Sequence, residues 1–142
     1  MAMTGQYQHS VDAKGRLFIP VKLREELGDT FYVTISMTDP CLTAYSEEGW
    51  EKLTQKFESL PFSQARTAIR LLYANAAKCE PDAQGRILLP QKLRDYADLK
   101  KEVVVAGLAT RAEIWNAEKW TAQESEELAS GDLRSIAEQL GM

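Results

Sequence analysis

The chain has 142 residues, of which 44% are hydrophobic and 27% charged, and its formal net charge is −4. That composition is typical of a folded globular domain and excludes a long disordered chain. No apolar run approaches the ~20 residues of a membrane-spanning helix, and the start, MAMTGQYQHS, lacks the basic and apolar regions of a secretory leader, so we expect a cytoplasmic protein.

One sequence unit occurs twice, 70 residues apart. Residues 12–24 (DAKGRLFIPVKLR) align without a gap with residues 82–94 (DAQGRILLPQKLR), and eight of the thirteen positions are identical. The same offset continues downstream, where Val33 meets Val103, so that one register covers about 40 residues. We infer an internal duplication.

In chain order, the first copy predicts alternating short strands and helices. Asp suits the first position of a tight turn and Gly the last, and Pro fits the first turn of a helix. The predicted elements of this copy are a strand over 6–11, a turn over 12–15, a strand over 16–19, a helix over 21–27, strands over 31–35 and 42–45, and a helix after the N-cap Ser46.

The second copy repeats this order. The predicted elements are a turn over 82–85, a strand over 86–89, a helix over 90–97, strands over 102–106 and 112–115, and a closing helix that carries Trp120. Ala65, Ile69, Leu72 and Tyr73 have helical spacing, so residues 61–78 between the copies are predicted to be helical, and 121–142 to be an acidic helix interrupted at Gly131.

These elements predict a β-rich α+β fold. Each unit has a β-hairpin, a short helix, a strand pair and a closing helix, and the two units pack as one pseudo-twofold body. The predicted segments are the first unit at 6–48, connecting helices at 49–76, the second unit at 77–120 and the acidic tail at 121–142.

The repeated turn is the candidate functional site. Asp12, Gly15, Asp82 and Gly85 form the two turns, and Arg16 and Arg86 follow them, which predicts two arginines at projecting hairpin tips. A β-ribbon can enter the major groove of DNA, where an arginine donates two hydrogen bonds to guanine. The alternative is a local Asp–Arg ion pair without function.

Further basic residues lie near these turns. Lys14 is suited to a phosphate contact, and Lys22 and Arg24 on the short helix could add others. Gln84 stands where the first copy has Lys14, so we expect the first tip to contact DNA more strongly. Residues 121–142 carry a net charge of −4, so residues 1–120 are neutral overall and their positive charge is concentrated around the turns.

Other residues favour structural roles. Cys41 and Cys79 are too few for a disulfide framework and are predicted to be buried small hydrophobes, and His9 is the only histidine available to a metal site. Trp50 and Trp120 are predicted to pack against their own strand pairs, the alternative being base stacking.

The doubled DAKGR and DAQGR turns, each followed by an apolar strand, a proline and a Lys-Leu-Arg helix, resemble the AbrB-type swapped-hairpin DNA-binding domain. Two such units at this spacing, with CLTAY between strands, resemble the MraZ family over residues 5–140. The motif positions of the family are Asp12 and Arg16, and Asp82 and Arg86. Pro81 departs from the family, in which an apolar residue is usual.

The resemblance implies a bacterial transcriptional regulator of the division and cell-wall gene cluster, which includes its own gene. It implies binding to short G-rich direct repeats in double-stranded DNA, association with the nucleoid, and assembly into a ring, an octamer or a dodecamer. From the residues themselves we expect no cofactor, no metal, no membrane segment and no small-molecule substrate.

Two other classes of function remain open. One is a protein-interaction or antitoxin-like scaffold module whose DNA binding is secondary, for which the acidic tail and residues 61–78 would supply surfaces. The other is an enzyme, but the sequence has no Ser-His-Asp or Cys-His constellation, no Gly-rich phosphate loop and no cluster of metal ligands.

Overall fold

The computed structural model describes residues 2–142, which form eight strands and six helices. The strands are β1 (Gln6–Ser10), β2 (Arg16–Phe18), β3 (Phe31–Ile35), β4 (Leu42–Ser46), β5 (Ala77–Cys79), β6 (Arg86–Leu88), β7 (Glu102–Leu108) and β8 (Arg111–Asn116). The helices are α1 (Val21–Leu27), α2 (Glu47–Phe57), α3 (Phe62–Ala74), α4 (Gln91–Tyr96), α5 (Ala117–Ala129) and α6 (Asp132–Gln139). The predicted β-rich α+β class is therefore confirmed.

The strands form two antiparallel sheets. The larger sheet has six strands in the order β1-β7-β8-β4-β3-β5, and β2 and β6 form a separate two-stranded ribbon. Exchanging each strand for its counterpart in the other copy reverses the order of the large sheet and leaves it otherwise unchanged. This symmetry confirms the pseudo-twofold body.

The two copies exchange strands. β1 of the first copy pairs with β7 of the second, β5 of the second pairs with β3 of the first, and β2 pairs with β6. The sequence predicted a hairpin within each copy, whereas the strands on either side of each turn take their ladder partners from the other copy. What closes each turn locally is a hydrogen bond from the Asp12 N–H to the Arg16 carbonyl, 3.0 Å, and its counterpart between Asp82 and Arg86, 2.9 Å.

The core lies between the large sheet and the layer formed by the ribbon, α1 and α4. Leu17 and Ile87 point inward from the ribbon, and Leu23 and Leu93 point inward from the two short helices. Burial of such side chains stabilises a fold by about 1.5–3 kcal/mol each. The opposite face of the sheet is covered by α2, α3 and α5, so the ribbon and the longer helices lie on opposite sides of the molecule.

The repeat is not in one unbroken register. Tyr7 pairs with Val105, and Ala77, its counterpart 70 residues later, pairs with Val33. The counterpart of Val33 is therefore Val105, 72 residues later, and the predicted match of Val33 with Val103 is wrong. Compared with the first copy, the second copy has two extra residues before β7 and two fewer between β7 and β8. The two differences cancel, so the offset returns to 70 after β7, and an alignment without gaps cannot show them.

The connection between the copies differs from the single helix predicted over 61–78. The helix α3 ends at Ala74, and residues Ala77–Cys79 form β5 on the edge of the large sheet. The three-residue strand is too short to show a periodicity of its own. The acidic tail is helical as predicted, and Gly131, with φ +81°, separates α5 from α6. The segment boundaries at residues 48, 76 and 120 remain predictions.

The cysteines and tryptophans have the packing roles predicted for them. Cys41 and Cys79 are free and buried, and burial raises the pKa of each thiol to about 12. Trp50 is buried beside Tyr32 and Tyr73, with ring centroids 5.1 and 4.6 Å away. Within residues 2–142, no helix has the length and apolar character to span a membrane.

Candidate nucleic-acid interface

Each repeated turn is held by one aspartate. The Asp12 Oδ1 atom accepts hydrogen bonds from the N–H groups of Lys14 and Arg16, at 3.0 and 2.8 Å. In the second copy, Asp82 Oδ1 accepts from Gln84 and Arg86, both at 2.9 Å. Because these N–H groups favour the charged carboxylate, and chiefly the N–H of the arginine, the pKa of each aspartate lies below its ordinary value.

The second carboxylate oxygen orients the arginine that follows each turn. Arg16 Nε donates to Asp12 Oδ2 at 2.7 Å, and Arg86 Nε donates to Asp82 Oδ2 at 3.1 Å. The predicted ion pair is therefore present in both copies. It engages Nε, whereas the two terminal nitrogens of a guanidinium are the atoms that can approach a planar acceptor pair.

The ribbon brings the two arginines onto one surface. In the β2–β6 ladder, Arg16 lies opposite Leu88, and Phe18 lies opposite Arg86. The intervening pair, Leu17 and Ile87, is buried, so these four side chains share the outward face. Sequence reasoning predicted two separate projecting tips, but the structure places both arginines on the outward face of one ribbon, because the copies exchange their strands.

The outward face also has an apolar component, and strand alternation predicts its Phe18 on the same face as Arg16. Leu88 is 63% exposed, whereas Phe18 is half-buried against the ring of His9, 5.0 Å away, and under the guanidinium of Arg24. The two arginines are also half-buried, with 35% and 31% of their side-chain surfaces exposed. These contacts restrict the side-chain rotamers of Phe18 and the two arginines on the outward face.

The helix arginines cover the turn of the opposite copy. Arg24 Nε donates to the Ile19 carbonyl at 2.8 Å, and its guanidinium packs on Gly85, where an added Cβ would lie 2.8 Å from Arg24 Cζ. Arg94 does the same in the other copy: it donates to Leu89 at 3.0 Å and packs on Gly15 with the same 2.8 Å clearance.

Backbone hydrogen bonds reinforce this arrangement. The Ile19 N–H donates to the Gly85 carbonyl, and the Leu89 N–H donates to the Gly15 carbonyl, both at 2.9 Å. Gly15 and Gly85 have φ values of +87° and +79°, which β-carbon-bearing residues adopt rarely. Each turn thus requires its one glycine for two reasons: the backbone has a positive φ, and the arginine of the opposite copy fills the space that a side chain would need.

The remaining predicted contact residues differ in their availability. Lys14 lies exposed on the first turn, and Lys22 lies exposed on α1. Arg24 is half-buried by the contacts just described, so its role in the structure is to hold the opposite turn, and a phosphate contact by it remains a prediction. The signal that could have revealed this role is in the repeat itself, because Arg24 and Arg94 recur together with Gly15 and Gly85.

The strand exchange and the doubled turn define a duplicated, interlocked β-ribbon protein. The family model of MraZ proteins, described as antitoxin-like, matches residues 2–71 and again residues 72–140. The chain therefore belongs to the MraZ family, as the resemblance of the two turns predicted.

Proteins named "Transcriptional regulator MraZ" resemble the chain over most of its length. That of Acetivibrio thermocellus is 49% identical over 140 residues, which is 97% of this chain and 96% of the relative. Those of Carboxydothermus hydrogenoformans and Halothermothrix orenii are 51% and 44% identical, and cover 82% and 97% of this chain and 82% and 98% of their own length. By family, the chain is a transcriptional regulator and not an enzyme.

Proposed function

We propose that this chain regulates transcription by reading guanines in double-stranded DNA with the outward face of the β2–β6 ribbon. The observation that carries the proposal is that Arg16 and Arg86 share that face, each held through Nε by an aspartate. Guanine presents O6 and N7 in the major groove, and an arginine can donate to both. The two terminal nitrogens of each guanidinium are suited to that contact.

The spacing of the arginines supports a single site on one groove. Arg16 and Arg86 are diagonal neighbours in the ladder, and such positions lie about 7–8 Å apart. Successive base pairs of B-DNA are about 3.4 Å apart along the axis of the helix, so the separation corresponds to roughly two base-pair steps. Neighbouring guanines in a G-rich repeat match this spacing.

Lysines around the ribbon would add phosphate contacts. Lys14 at the turn and Lys22 on α1 are exposed on this side of the molecule, and each phosphate contact steepens the salt dependence of binding. Gln84 replaces the lysine at the second turn, so we propose that the first turn contributes more to affinity. The acidic tail begins with α5, which packs against β7 and β8 on the opposite, helical side of the sheet.

The proposed target is a set of short G-rich direct repeats upstream of a bacterial division and cell-wall gene cluster that includes the regulator's own gene. We place the protein in the cytoplasm, on the nucleoid, as a ring of eight or twelve copies. A ring offers several ribbons to several repeats, and such multivalency raises apparent affinity by about 10²–10⁴ when the spacing fits. This gain compensates for the modest charge of each ribbon.

A binding titration with matched variants tests the function. Arg16→Ala and Arg86→Ala should each weaken binding to DNA from upstream of the chain's own gene by about 5- to 150-fold, since a bidentate contact contributes ~1–3 kcal/mol. Lys78→Ala is the control, because Lys78 pairs with Tyr32 and belongs to the helix-covered side of the sheet. Unchanged binding by both arginine variants would contradict the proposal.

An antitoxin-like interaction module is the second candidate function. The description of the matching family as antitoxin-like favours it, and so do the exposed apolar side chains of α3 and α6. In that case the same arginine variants would retain their DNA binding, and capture of a partner protein would be lost on substitution of α3 or α6 instead.

A further inference from the structure

The segment between α4 and β7 is longer than its counterpart in the first copy. Three residues separate α1 from β3, whereas five residues, 97–101, separate α4 from β7. This longer segment, which we call the α4–β7 loop, ends in Lys100 and Lys101, whereas the shorter one ends in Asp29 and Thr30. The loop of the second copy thus ends with two positive charges, and that of the first copy with one negative charge.

The α4–β7 loop lies against the turn of the first copy. The N–H of Val11, the residue before that turn, donates to the Lys101 carbonyl at 2.8 Å. The loop and the turn line a cleft of about 430 Å³, to which the loop contributes Lys100 and Lys101 and the turn contributes Asp12. The strand exchange therefore brings two lysines of the second copy to the end of the ribbon at which β2 begins.

Polar contacts hold the α4–β7 loop in place. Asp98 has φ +52°, and its carbonyl accepts a hydrogen bond from the Asn116 side chain at 2.8 Å. The Asp98 carboxylate pairs with Lys100 at 2.9 Å and with Lys119 at 3.5 Å. These contacts fix the loop to β8 and α5, so the fold defines the position of Lys101 beside the turn.

Two lysines at this end of the ribbon carry charges that the chain does not neutralise. Lys14 on the turn and Lys101 in the loop are exposed, and neither forms an ion pair with another of residues 2–142. Glu102, which follows Lys101, accepts a hydrogen bond from the Ser10 hydroxyl at 3.1 Å. The two ammonium groups are therefore available to an anion outside the chain.

The two ends of the ribbon have opposite net charge. The first end consists of the turn 12–15 with residues 91–101, and the second end consists of the turn 82–85 with the corresponding residues 21–30. The first end has five basic and three acidic residues, and the second has two basic and four acidic residues. The net charges are therefore +2 and −2, although the backbone of the ribbon is close to twofold symmetric.

The length of the ribbon places its ends beside the DNA backbone. Three residue pairs span about 10 Å, whereas the major groove is about 12 Å wide and has phosphates along both walls. With the outward face on the bases, the segments at the two ends of the ribbon come next to phosphates. A basic end attracts these phosphates and an acidic end repels them.

We propose that the α4–β7 loop and Lys14 form a binding site for a backbone phosphate, with Lys101 as its principal contact. The net negative charge of the second end disfavours the same contact there. Each chain therefore binds its repeat in one of the two orientations that a symmetric ribbon would permit. The inference rests on the proposed function, and it adds a backbone contact and a direction to the guanine contacts of Arg16 and Arg86.

The salt dependence of DNA binding tests the phosphate contact. Lys101→Ala should reduce the slope of log affinity against log salt concentration by about 1 and lower the affinity at 0.1 M salt about fivefold to tenfold. Lys101 is exposed, so folding should be retained and is checked by circular dichroism. Lys78→Ala removes the same charge from the helix-covered side of the sheet and should keep the slope of the unaltered chain. An unchanged slope for Lys101→Ala would overturn the inference.

Neutral phosphate analogues test the direction of binding. A duplex with one G-rich repeat carries a single methylphosphonate, which lacks the negative charge, at successive positions on either side of the guanines. The unaltered chain should lose affinity at phosphates on one side, and Lys101→Ala should lose no further affinity at one of these positions. Equal losses on both sides, or the same losses in Lys101→Ala, would overturn this inference alone, provided that Arg16→Ala and Arg86→Ala still weaken binding. If neither arginine variant weakens binding, the proposed function fails and this inference fails with it.

Discussion

Asp12 and Asp82 each combine two tasks within four residues of chain. One carboxylate oxygen orders the backbone of the turn, and the other holds the arginine that follows. A neutral side chain of the same shape could still accept from the backbone, but it would attract the guanidinium far less. The turn geometry and the direction of the arginine are therefore coupled through a single ionised group.

This coupling predicts a pH dependence of stability. The pKa of Asp12 is lowered in the folded chain, mainly by the N–H of Arg16, so its contribution to stability is present above its ordinary pKa near 3.9 and is lost as the pH falls through the lower folded value. Asp12→Asn should have a lower free energy of unfolding than the unaltered chain at pH 7, and this difference should become smaller below pH ~4. Urea unfolding at several pH values measures the difference, and a difference that does not change with pH would refute the prediction.

A second prediction concerns the space above Gly15. Gly15→Ala should destabilise the fold by about 1–3 kcal/mol, because it combines a positive φ with a contact of 2.8 Å to the Arg94 side chain. Gly131→Ala is the control, since Gly131 has φ +81° and open space around it, and should cost about 1 kcal/mol.

Adding Arg94→Ala to Gly15→Ala separates the two causes. If Arg94 fills the space above the glycine, the double variant should lose less stability than the two single losses added together. Strict additivity in chemical denaturation would show that the guanidinium does not restrict this position.

At the scale of elements, local sequence signals predicted most helices and turns but few strand partners. Proline before α1 and α4, the Asp-x-x-Gly turns and the N-cap Ser46 each act within four residues, so their effect can be read from the chain. The pairing of β2 with β6 depends on residues 70 positions apart, and either copy alone shows two strands around a turn. The hairpin interpretation followed from that local view.

For the candidate site too, the sequence predicted the residues themselves but not how the two copies bring them together. Arg16 and Arg86 stand out because they recur after identical turns, and the structure keeps them exposed enough for contact. Without knowledge of the strand exchange, the sequence does not show that the two arginines share one face. It also does not show that Arg24 and Arg94 pack on the turns of the opposite copies. Strand alternation places Leu88 on the face of Arg86, opposite its buried neighbours Ile87 and Leu89, but its exposure depends on the pairing of β6 with β2.

The capping of α2 gives an element-scale prediction. Ser46 Oγ accepts from the Gly49 N–H at 3.1 Å and begins the helix that places Trp50 on the sheet. Ser46→Ala should destabilise the chain by about 1 kcal/mol, whereas Ser46→Asn, which keeps an acceptor, should stay close to the unaltered value. Equal losses in thermal unfolding of both variants would show that the cap does not matter.

At the scale of the whole molecule, strand exchange makes the two copies mutually dependent. β1, β2 and β5 each take their ladder partner from the other copy, and the core is built from both. The charge is divided in the same body, with a basic ribbon on one side and an acidic helical tail on the other. Positive charge for DNA is thereby compatible with an overall charge of −4.

This dependence predicts the behaviour of the separated halves. Residues 1–76 expressed alone should be unfolded, or should pair with a second identical fragment that replaces the missing copy. Mixing fragments 1–76 and 77–142 should restore the native fold, as measured by circular dichroism and the exchange of amide protons. A stable folded monomer of either fragment would contradict the interlocked architecture.

The most direct test of guanine reading by the ribbon is a double-substitution cycle in an equilibrium titration. Guanines of the target repeat are replaced one at a time by 7-deazaguanine, which lacks the N7 acceptor, and each DNA is titrated with the unaltered chain and with Arg16→Ala, Arg86→Ala and Lys78→Ala. We expect the unaltered chain and Lys78→Ala to lose about tenfold in affinity at particular guanines. Arg16→Ala should lose no further affinity at one of these guanines, and Arg86→Ala no further affinity at another. Fully additive losses at every guanine would contradict it.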